Sequence, residues 1–399
     1  MNRIKKWEQN CEVLKDKKFL AKYAVQEKIV GEGSFGTVFI AKLRINQEER
    51  AVKAIRRIEK VDMLAIELKL LTELGGHFNI VKFYDFYHIL GSVIVVMEYF
   101  PHCTGLELVM HARSDHTFPL LYFRNLMIAL SYLHQNGFVH RDVKLSNFLY
   151  SKETQSFRLV DFGLATADRS DVDKTRETNR KSDFFAPECT VCGGQPSLCI
   201  ICKSMTKRDN YQVVGTPGVR APELLIGIGS FCTPVDIFSS GIVLLSLLCA
   251  KHPLFMPRDE TENIMNLACL LGSEALEKMG AAEGIRLTVS TYKKPMDFCK
   301  FILAMRYGLR PLRRCKKWIK PKKCQDCANL GYRNVNRICF CREGSEKGKF
   351  DTRGIDSDLL ILYVDLLYYA LEADRYKRYN ANQLLSVIEY YDKRTAKNP

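Results

Sequence analysis

The chain lacks the apolar segments that would direct it into or across a membrane. Its first eight residues are mostly polar or charged, and they contain no apolar core of a signal peptide. The longest apolar runs, 241–250 and 359–371, are too short or are interrupted by Asp365, and they are better explained as buried helices than as bilayer spans. We therefore expect a soluble, intracellular protein that contacts no membrane.

Acidic residues are scarce relative to basic ones. The chain has 60 Lys and Arg against 45 Asp and Glu, a net charge of +15. Such an excess favours anionic partners, such as nucleic acids and acidic or phosphorylated proteins. With 399 residues, 47% of them hydrophobic, the chain is long enough for two lobes or domains. Its fifteen cysteines are many for a reducing compartment, where clustered cysteines indicate a metal and scattered ones the core.

Residues 1–22 are polar and charged, and we treat them as an N-terminal extension without recognisable chemistry. The following β-type segments contain glycines at Gly31, Gly33 and Gly36. Because glycine lets the backbone come close to phosphates, such a hairpin can fold over them as a lid. A plain glycine-rich hairpin and a dinucleotide fingerprint also match, but the latter needs a helix directly afterwards, whereas residues 38–41 are strand-like.

A lysine follows in the apolar strand 51–55. Lys53 would usually be a surface residue there, but it follows the glycines by the distance that a third strand needs. A helix is predicted over 61–74, ending at glycines 75–76, with Glu67 beside its apolar stripe. Paired with Glu67, Lys53 would point at the α- and β-phosphates of a nucleotide. Taken alone, Glu67 is more often part of a solvated helix face.

Two more strands, 81–88 and 93–97, are expected before a mixed linker at 98–101. A buried strand that leads into such a linker is typical of a hinge between lobes. Met97 would then flank an adenine pocket, and the backbone from Glu98 to Phe100 would bond the adenine edge. The alternative is an ordinary strand end.

The central stretch of the chain is 140–147, which follows a predicted helix at 120–135. There Asp142 can accept a proton from a hydroxyl, Lys144 can neutralise a migrating phosphoryl group, and Asn147 can hold a metal ion. Eight residues can match such a loop by chance, so its interpretation depends on the other motifs.

A hairpin is predicted to follow and to end in Asp161-Phe162-Gly163, with Asp161 as a second magnesium ligand and Phe162 as an apolar switch residue. The complete set then stands in chain order: glycine lid, Lys53, Glu67, Asp142, Asn147, Asp161. Jointly, in this order and spacing, the set indicates phosphoryl transfer.

The tripeptide Ala-Pro-Glu that ends a kinase activation segment occurs twice, at 186–188 and at 221–223. The second is favoured because the turn-rich stretch before it can present Thr216 to Asp142 and Lys144, and because a buried apolar helix follows. Its Glu223 should be a buried carboxylate with Arg378 as the expected cation. The segment between Asp161 and Glu223 therefore carries an insertion.

Two Cys-x-x-Cys pairs lie in that insertion, and their close spacing predicts a structural zinc site with the ligands Cys189, Cys192, Cys199 and Cys202. Four free thiols are the alternative. Four more cysteines, Cys324, Cys327, Cys339 and Cys341, leave a second zinc site open. The basic run 313–323 before them is a nuclear localisation signal, a docking surface or a solvated charge run. Few aromatic residues lie there to stack on bases, which argues against a zinc-dependent nucleic-acid binder.

With these motifs the chain resembles eukaryotic protein kinases, and Lys144 with Thr216 resembles the serine/threonine branch. Residues 215–223, the cysteine-rich insertion before them and the late Cys-x-x-Cys resemble the cell division cycle 7-related kinase family, which licenses replication origins to fire. The resemblance implies an α+β fold with a small β-rich N-lobe and a larger helical C-lobe. The expected boundaries are a kinase domain at 23–394, with N-lobe 23–97, hinge 98–101, C-lobe 102–394, a zinc-binding activation-segment insert at 168–210 and a C-lobe insert at 272–356.

The resemblance also implies the cofactors ATP, Mg²⁺ and structural Zn²⁺. The expected nucleotide-binding residues are Val30, Gly31, Glu32, Gly33, Ser34, Phe35, Gly36, Val38, Ala51, Lys53, Glu67, Met97, Glu98, Phe100 and Leu149. The expected catalytic residues are Asp142, Lys144, Lys53, Asn147, Asp161 and Thr216, and Asn147 and Asp161 would hold the Mg²⁺.

For function, the resemblance implies a nuclear kinase that is active with a zinc-binding regulatory subunit and phosphorylates acidic proteins such as the replicative helicase, without direct nucleic-acid binding. A casein-kinase-like enzyme that needs no subunit and a pseudokinase scaffold are the alternatives.

Overall fold

The computed structural model describes residues 16–33, 36–55, 61–89, 92–169, 214–227, 232–289, 292–308, 340–342 and 354–397. The chain divides into two compact units, one formed by Met1–Cys103 with Asn147–Ala167 and the other by Thr104–Ser146 with Asp168–Pro399. Each unit brings together segments that are distant in the sequence.

The elements of the described residues are numbered here in chain order. The strands are β1 (Tyr23–Gly33), β2 (Gly36–Leu43), β3 (Glu49–Ile55), β4 (Phe83–Ile89), β5 (Ser92–Glu98), β6 (Phe138–Val139), β7 (Phe148–Ser151), β8 (Ser156–Leu159) and β9 (Thr166–Ala167). The helices are α1 (Lys17–Lys22), α2 (Val61–Leu74), α3 (Gly105–Ser114), α4 (Phe118–Gln135), α5 (Pro222–Leu225), α6 (Pro234–Leu248), α7 (Glu260–Leu271), α8 (Ser273–Ala282), α9 (Phe298–Tyr307), α10 (Ser357–Ala370) and α11 (Ala381–Lys397).

The first unit is built on a five-stranded sheet in the order β1-β2-β3-β5-β4, with antiparallel neighbours throughout. Because strand side chains alternate between faces, Val52 and Ala54 share one face, while Lys53 lies on the other. Val52 and Ala54 belong to a buried cluster that also includes Ile94 and Val96, which stand opposite them on β5. The lysine of β3 is thereby turned away from the apolar cluster.

The helix α1 contributes to the same cluster. Asp16 caps the helix by accepting a hydrogen bond from the Phe19 backbone N–H at 2.7 Å. The Phe19 side chain is fully buried, with its ring 5.2 Å from that of Tyr23. Part of the N-terminal extension is therefore a component of the core of the first unit, a role that its polar sequence did not indicate.

The hairpin β7–β8 also belongs to the first unit. Its register pairs Phe148 with Leu159 and Leu149 with Arg158. Leu159 accepts a further hydrogen bond from the Val81 backbone N–H at 3.1 Å. The hairpin is therefore joined by backbone bonds to the segment that precedes β4.

In the second unit, α6 has the most deeply buried sequence: every residue from Val235 to Leu248 is buried. This agrees with the buried apolar helix expected at the 241–250 run. Gly241 is required by close packing, because a Cβ there would lie 2.7 Å from a methyl group of Leu371. Among the described residues, no helix is long and apolar enough to cross a membrane.

The range expected to form the C-lobe insert contains α8 and α9. Arg306 near the end of α9 is buried and donates hydrogen bonds to backbone carbonyls at the ends of two other helices. Nη1 bonds the oxygen of Leu248 at 3.1 Å, and Nη2 bonds those of Arg113, at 3.0 Å, and Ala112. Because the last carbonyls of a helix have no partner within it, this guanidinium ties α9 to the ends of α3 and α6.

Candidate active site

A buried ion-pair cluster in the first unit connects β3, α2 and the segment after β8. Lys53 Nζ lies 2.7 Å from Glu67 Oε1 and 2.9 Å from Asp161 Oδ1. Burial alone would lower the pKa of Lys53, but the charges and hydrogen bonds of Glu67 and Asp161 outweigh it and raise that pKa above its ordinary value. Lys53 is therefore a fixed cation. Glu67 is only 4% exposed, which excludes the solvated helix face that the sequence alone would favour.

Asp161 and Asn147 lie at the two ends of the β7–β8 hairpin. The backbone N–H of Val160 bonds the carbonyl oxygen of Asn147 at 2.9 Å, which holds the two segments together. Asp161 has a φ of 62°, a left-handed conformation that is uncommon outside glycine and that often occurs at functional sites. Phe162 is buried, as expected of an apolar residue next to this acid. Carboxylate and amide oxygens are ligands that Mg²⁺ accepts, so this pair fits the cation that the motif predicts.

The cross-strand register brings predicted nucleotide-binding residues together on the face of the sheet that carries Lys53. Val38 stands opposite Lys53, and Ala51 stands opposite Met97. These predicted nucleotide-binding residues therefore share one face of the sheet.

The third glycine of the lid has a packing role. A Cβ on Gly36 would lie 2.2 Å from the carbonyl oxygen of Ala54, so a side chain is excluded by the neighbouring strand. Ser34 and Phe35 lie outside the described residues.

At the end of β5, the Glu98 backbone N–H bonds the Lys82 carbonyl oxygen at 2.9 Å. The side chain of Glu98 accepts two hydrogen bonds from Arg158, at 2.8 and 3.0 Å. Phe100 is buried beside this pair, with its ring centroid 5.2 Å from the Arg158 guanidinium carbon. Arg158 of β8 therefore contacts two residues of the predicted hinge segment, Glu98 and Phe100.

The second unit contains a compact triad. Asp142 Oδ1 accepts hydrogen bonds from the Thr216 hydroxyl at 2.7 Å and from the Thr216 backbone N–H at 3.0 Å. Lys144 Nζ lies 2.8 Å from Asp142 Oδ2 and 2.8 Å from the Thr216 hydroxyl oxygen. The structure therefore brings these three predicted residues together, with Asp142 94% buried and both of its carboxylate oxygens engaged.

The loop that carries Asp142 is fixed from below by Asp236 on α6. Asp236 accepts hydrogen bonds from the backbone N–H groups of His140, at 2.8 Å, and Arg141, at 2.7 Å. His134 Nε2 is 2.9 Å from the same carboxylate. Burial alone would raise the pKa of Asp236. The hydrogen bond and charge of His134 and the contacts with His140 lower that pKa by a larger amount, so it lies below its ordinary value. This role of Asp236 was not predicted from the sequence, although an acid in an otherwise apolar helix was the signal for it.

The turn before Thr216 is shaped by Gly215. This glycine has a φ of 92°, and a Cβ on it would lie 2.7 Å from the Arg141 carbonyl oxygen. Its own carbonyl oxygen accepts two hydrogen bonds from Arg220, at 2.8 and 2.6 Å. A glycine at 215 therefore lets the chain approach the loop of Asp142 closely. This approach places Thr216 where it can hydrogen-bond to Asp142.

The predicted partner of the second Ala-Pro-Glu motif is confirmed. Arg378 Nη1 lies 2.6 Å from Glu223 Oε1, and Nη2 lies 3.0 Å from Oε2. Both side chains are 0% exposed. This fully buried, bidentate pair supports the choice of 221–223 over 186–188, which lies outside the described residues.

The predicted zinc ligands Cys189, Cys192, Cys199 and Cys202 also lie outside the described residues, as do Cys324, Cys327 and Cys339. Cys341 is described, and it is buried. Within the described ranges, no group of three or more His, Cys, Asp or Glu residues is arranged to hold a metal ion.

Comparison with known proteins gives this geometry a family. Residues 23–197 match the family described as protein kinase domain. It is 28% identical over 368 residues to the cell cycle serine/threonine-protein kinase hsk1 of Schizosaccharomyces pombe, covering 90% of this chain and 70% of that protein.

The chain is also 30% identical over 268 residues to the probable cell division control protein 7 homolog 2 of Encephalitozoon cuniculi, covering 65% of this chain and 73% of that protein. The chain belongs to the cell division cycle 7-related family and is a cell-cycle serine/threonine kinase. The expected kinase fold is confirmed, and this fold implies ATP and Mg²⁺ as cofactors.

Proposed function

We propose that this kinase phosphorylates acidic proteins at replication origins, the replicative helicase among them, and thereby triggers initiation of DNA replication. Family membership supports this proposal most directly. The net charge of +15 agrees with a preference for acidic substrates. Nuclear localisation is part of the same proposal.

On the nucleotide side, Lys53 binds the α- and β-phosphates, and Glu67 keeps its ammonium in place. This assignment depends on the buried contact of 2.7 Å between them. Asn147 and Asp161 would hold the Mg²⁺ through their side-chain oxygens. When bound, MgATP supplies the γ-phosphoryl group that is transferred.

On the protein-substrate side, Asp142 orients the substrate hydroxyl and accepts its proton. Lys144 offsets negative charge on the transferring group, and Thr216 fixes the Asp142 carboxylate through its hydroxyl and its backbone N–H. The observation that carries the assignment is the closed set of contacts among Asp142, Lys144 and Thr216, each between 2.7 and 3.0 Å. Such preorganisation reduces the cost of orienting the proton acceptor during the reaction.

We further propose that the chain works with a zinc-binding regulatory subunit and that Cys189, Cys192, Cys199 and Cys202 form its own structural zinc site. The spacing of the two Cys-x-x-Cys pairs supports the metal, since four thiolates complete a tetrahedral shell. With no open position on the ion, its role is to stabilise an insert that is too small to build a core.

The test is a kinase assay on the chain purified alone and on the chain recovered from cells with its partners, combined with metal analysis. The substrates are an acidic helicase tail peptide and the same peptide with its acidic residues replaced by Gln and Asn. The proposal predicts low activity alone, high activity in the complex and preference for the acidic peptide. In the chain purified alone, the four Cys→Ser changes should remove one zinc per chain. Full activity alone would favour a casein-kinase-like enzyme, and no phosphotransfer in either form would favour a pseudokinase.

A further inference from the structure

A single arginine of the first unit contacts the end of β5 from which the adenine edge is expected to be bound. Arg158 donates from Nε to Glu98 Oε2 at 2.8 Å and from Nη2 to Glu98 Oε1 at 3.0 Å. Its guanidinium also lies over the ring of Phe100, 5.2 Å from the centroid. The two charged side chains are 27% and 22% exposed, so solvent screens this pair only partly. A planar, bidentate contact fixes both the distance and the orientation of its two partners.

The backbone of the same arginine belongs to the hairpin that carries the predicted metal ligands. Arg158 pairs with Leu149 across β7–β8. Two residues later, Val160 donates its backbone N–H to the Asn147 carbonyl oxygen at 2.9 Å, and Asp161 follows directly. One residue thus connects the adenine-binding end of the site with its metal-binding end.

A third bond orients the arginine itself. Nη1 donates to the Phe157 carbonyl oxygen at 2.8 Å, so the guanidinium is bound to its own strand as well as to Glu98. Because the guanidinium is bonded to both strands, it fixes the position of the end of β5 relative to β8. A lysine has one ammonium group and cannot form this planar set of contacts.

The adenine and the phosphates of ATP can be only a limited distance apart. ATP therefore contacts the Glu98–Phe100 backbone and the Asn147–Asp161 ligands at the same time only if these two groups are correctly spaced. If the two groups of residues drift relative to each other, one end of the nucleotide is bound at the expense of the other. A ligand that uses only one end is insensitive to that drift. A comparison of the two kinds of ligand therefore distinguishes a residue that sets the spacing from one that only stabilises the end of β5.

We propose that Arg158 is a positioning residue for ATP: it sets the spacing between the adenine-binding end of β5 and the metal-binding hairpin through Glu98 and Phe100. The inference rests on the nucleotide-binding assignments of the proposed function and adds a residue to them. Replacing Arg158 weakens ligands that span both ends and leaves adenosine, which reaches only the β5 end, unaffected.

The test measures dissociation constants of the full-length chain for ATP with Mg²⁺ and for adenosine, by calorimetry or fluorescence competition. Arg158→Ala should weaken ATP by about threefold to tenfold and change adenosine by less than about twofold. Arg158→Lys should give a smaller loss, again confined to ATP, and it carries the test if the alanine variant does not fold. Lys278→Ala, which removes an exposed ion pair of the second unit, is the control and should change neither constant.

Coupling between the two side chains is measured with Glu98→Gln, alone and combined with Arg158→Ala. The double variant should lose about as much ATP affinity as Arg158→Ala alone, because both changes break the same contact. Equal weakening of ATP and adenosine would overturn the proposal in favour of a local role at the end of β5, and so would an unchanged ATP affinity. Failure of the wild-type chain to bind ATP would instead refute the nucleotide-site assignment itself.

Discussion

Replacing Asp236 tests how the catalytic loop is held. The carboxylate is fully buried and receives the two backbone N–H groups of His140 and Arg141 and the ring N–H of His134. A buried donor left without an acceptor costs about 1–3 kcal/mol. Asp236→Ala leaves three such donors, so we expect a loss of about 3–9 kcal/mol, a large part of the 5–15 kcal/mol that typically separates folded from unfolded domains. Asp236→Asn keeps one acceptor oxygen but turns an NH₂ group toward a donor, and it should cost about 2–3 kcal/mol.

The same change should reduce turnover, because Asp142 directly follows the two residues whose backbone Asp236 holds. A displacement of about 1 Å in a reacting group can cost on the order of 100-fold in rate. For Asp236→Asn we therefore expect kcat to fall by about 10- to 100-fold, with little change in the KM for ATP. The assays are urea unfolding and phosphorylation of an acidic peptide. Asp259→Asn is the matched control, since Asp259 caps α7 at the surface and asparagine is an equally good cap.

The pH dependence of this prediction follows from the lowered pKa of Asp236. A carboxyl whose pKa is lower in the folded state contributes stability above its unfolded pKa and loses it as the pH falls through the folded pKa. The stability difference between wild type and Asp236→Ala should therefore shrink as the pH falls below about pH 4. The reasoning is refuted if Asp236→Asn matches wild type in both urea midpoint and turnover.

Three further predictions concern other contacts. Arg378→Ala should destabilise the fold by about 3–5 kcal/mol, because it leaves the Glu223 carboxylate buried and unpaired; an unchanged melting temperature would contradict this. Phe19→Ala should cost about 3–5 kcal/mol in urea unfolding, whereas Phe86→Ala, at a 52% exposed side chain, should cost less than about 0.5 kcal/mol, and equal effects would exclude a core role for α1. Lys53→Met removes the cation shared by two carboxylates, and it should lower kcat/KM at least about 100-fold; a loss below about threefold would refute its assignment.

Much of the site could be predicted because its residues occur in motifs with fixed spacing. Lys53 lies in an apolar strand, Asp142 and Asn147 share one loop, and Asp161 follows a hairpin. Local sequence is sufficient for such features, since strands and turns position these side chains over a few residues. The helix with Glu67 was predicted at its observed bounds, Val61–Leu74, because its apolar spacing is regular and two glycines end it.

The contacts that hold these motifs in place were not predictable in the same way. Asp236 is 94 residues from Asp142 in the sequence, and only the packing of α6 beneath the loop brings them together. Arg306 looks like one more charge in a polar stretch until the carbonyl groups at two helix ends are known. Phe19 lies in a charged segment, where its buried ring belongs to no periodic apolar pattern. The reacting groups can be identified from the sequence. The residues that hold them in place cannot, because they act through long-range tertiary contacts.

The proposals of a zinc site, of nuclear localisation and of a regulatory subunit concern segments or molecules beyond the described residues. The spacing of the Cys-x-x-Cys pairs is a property of the sequence, and metal analysis is its direct test. The structure accounts for the kinase chemistry independently of that outcome, because Lys53, Glu67 and Asp161 in the first unit and Asp142, Lys144 and Thr216 in the second make their contacts without the insert.

The most direct test of the central claim is the turnover of Asp142→Asn, measured beside its affinity for ATP. The substitution preserves shape and one acceptor oxygen but removes the proton-accepting carboxylate. We expect kcat to fall at least about 100-fold, with a dissociation constant for ATP within about twofold of wild type, because Lys53 and the metal ligands are intact. Undiminished turnover in this variant would contradict the assignment of Asp142 as the proton acceptor.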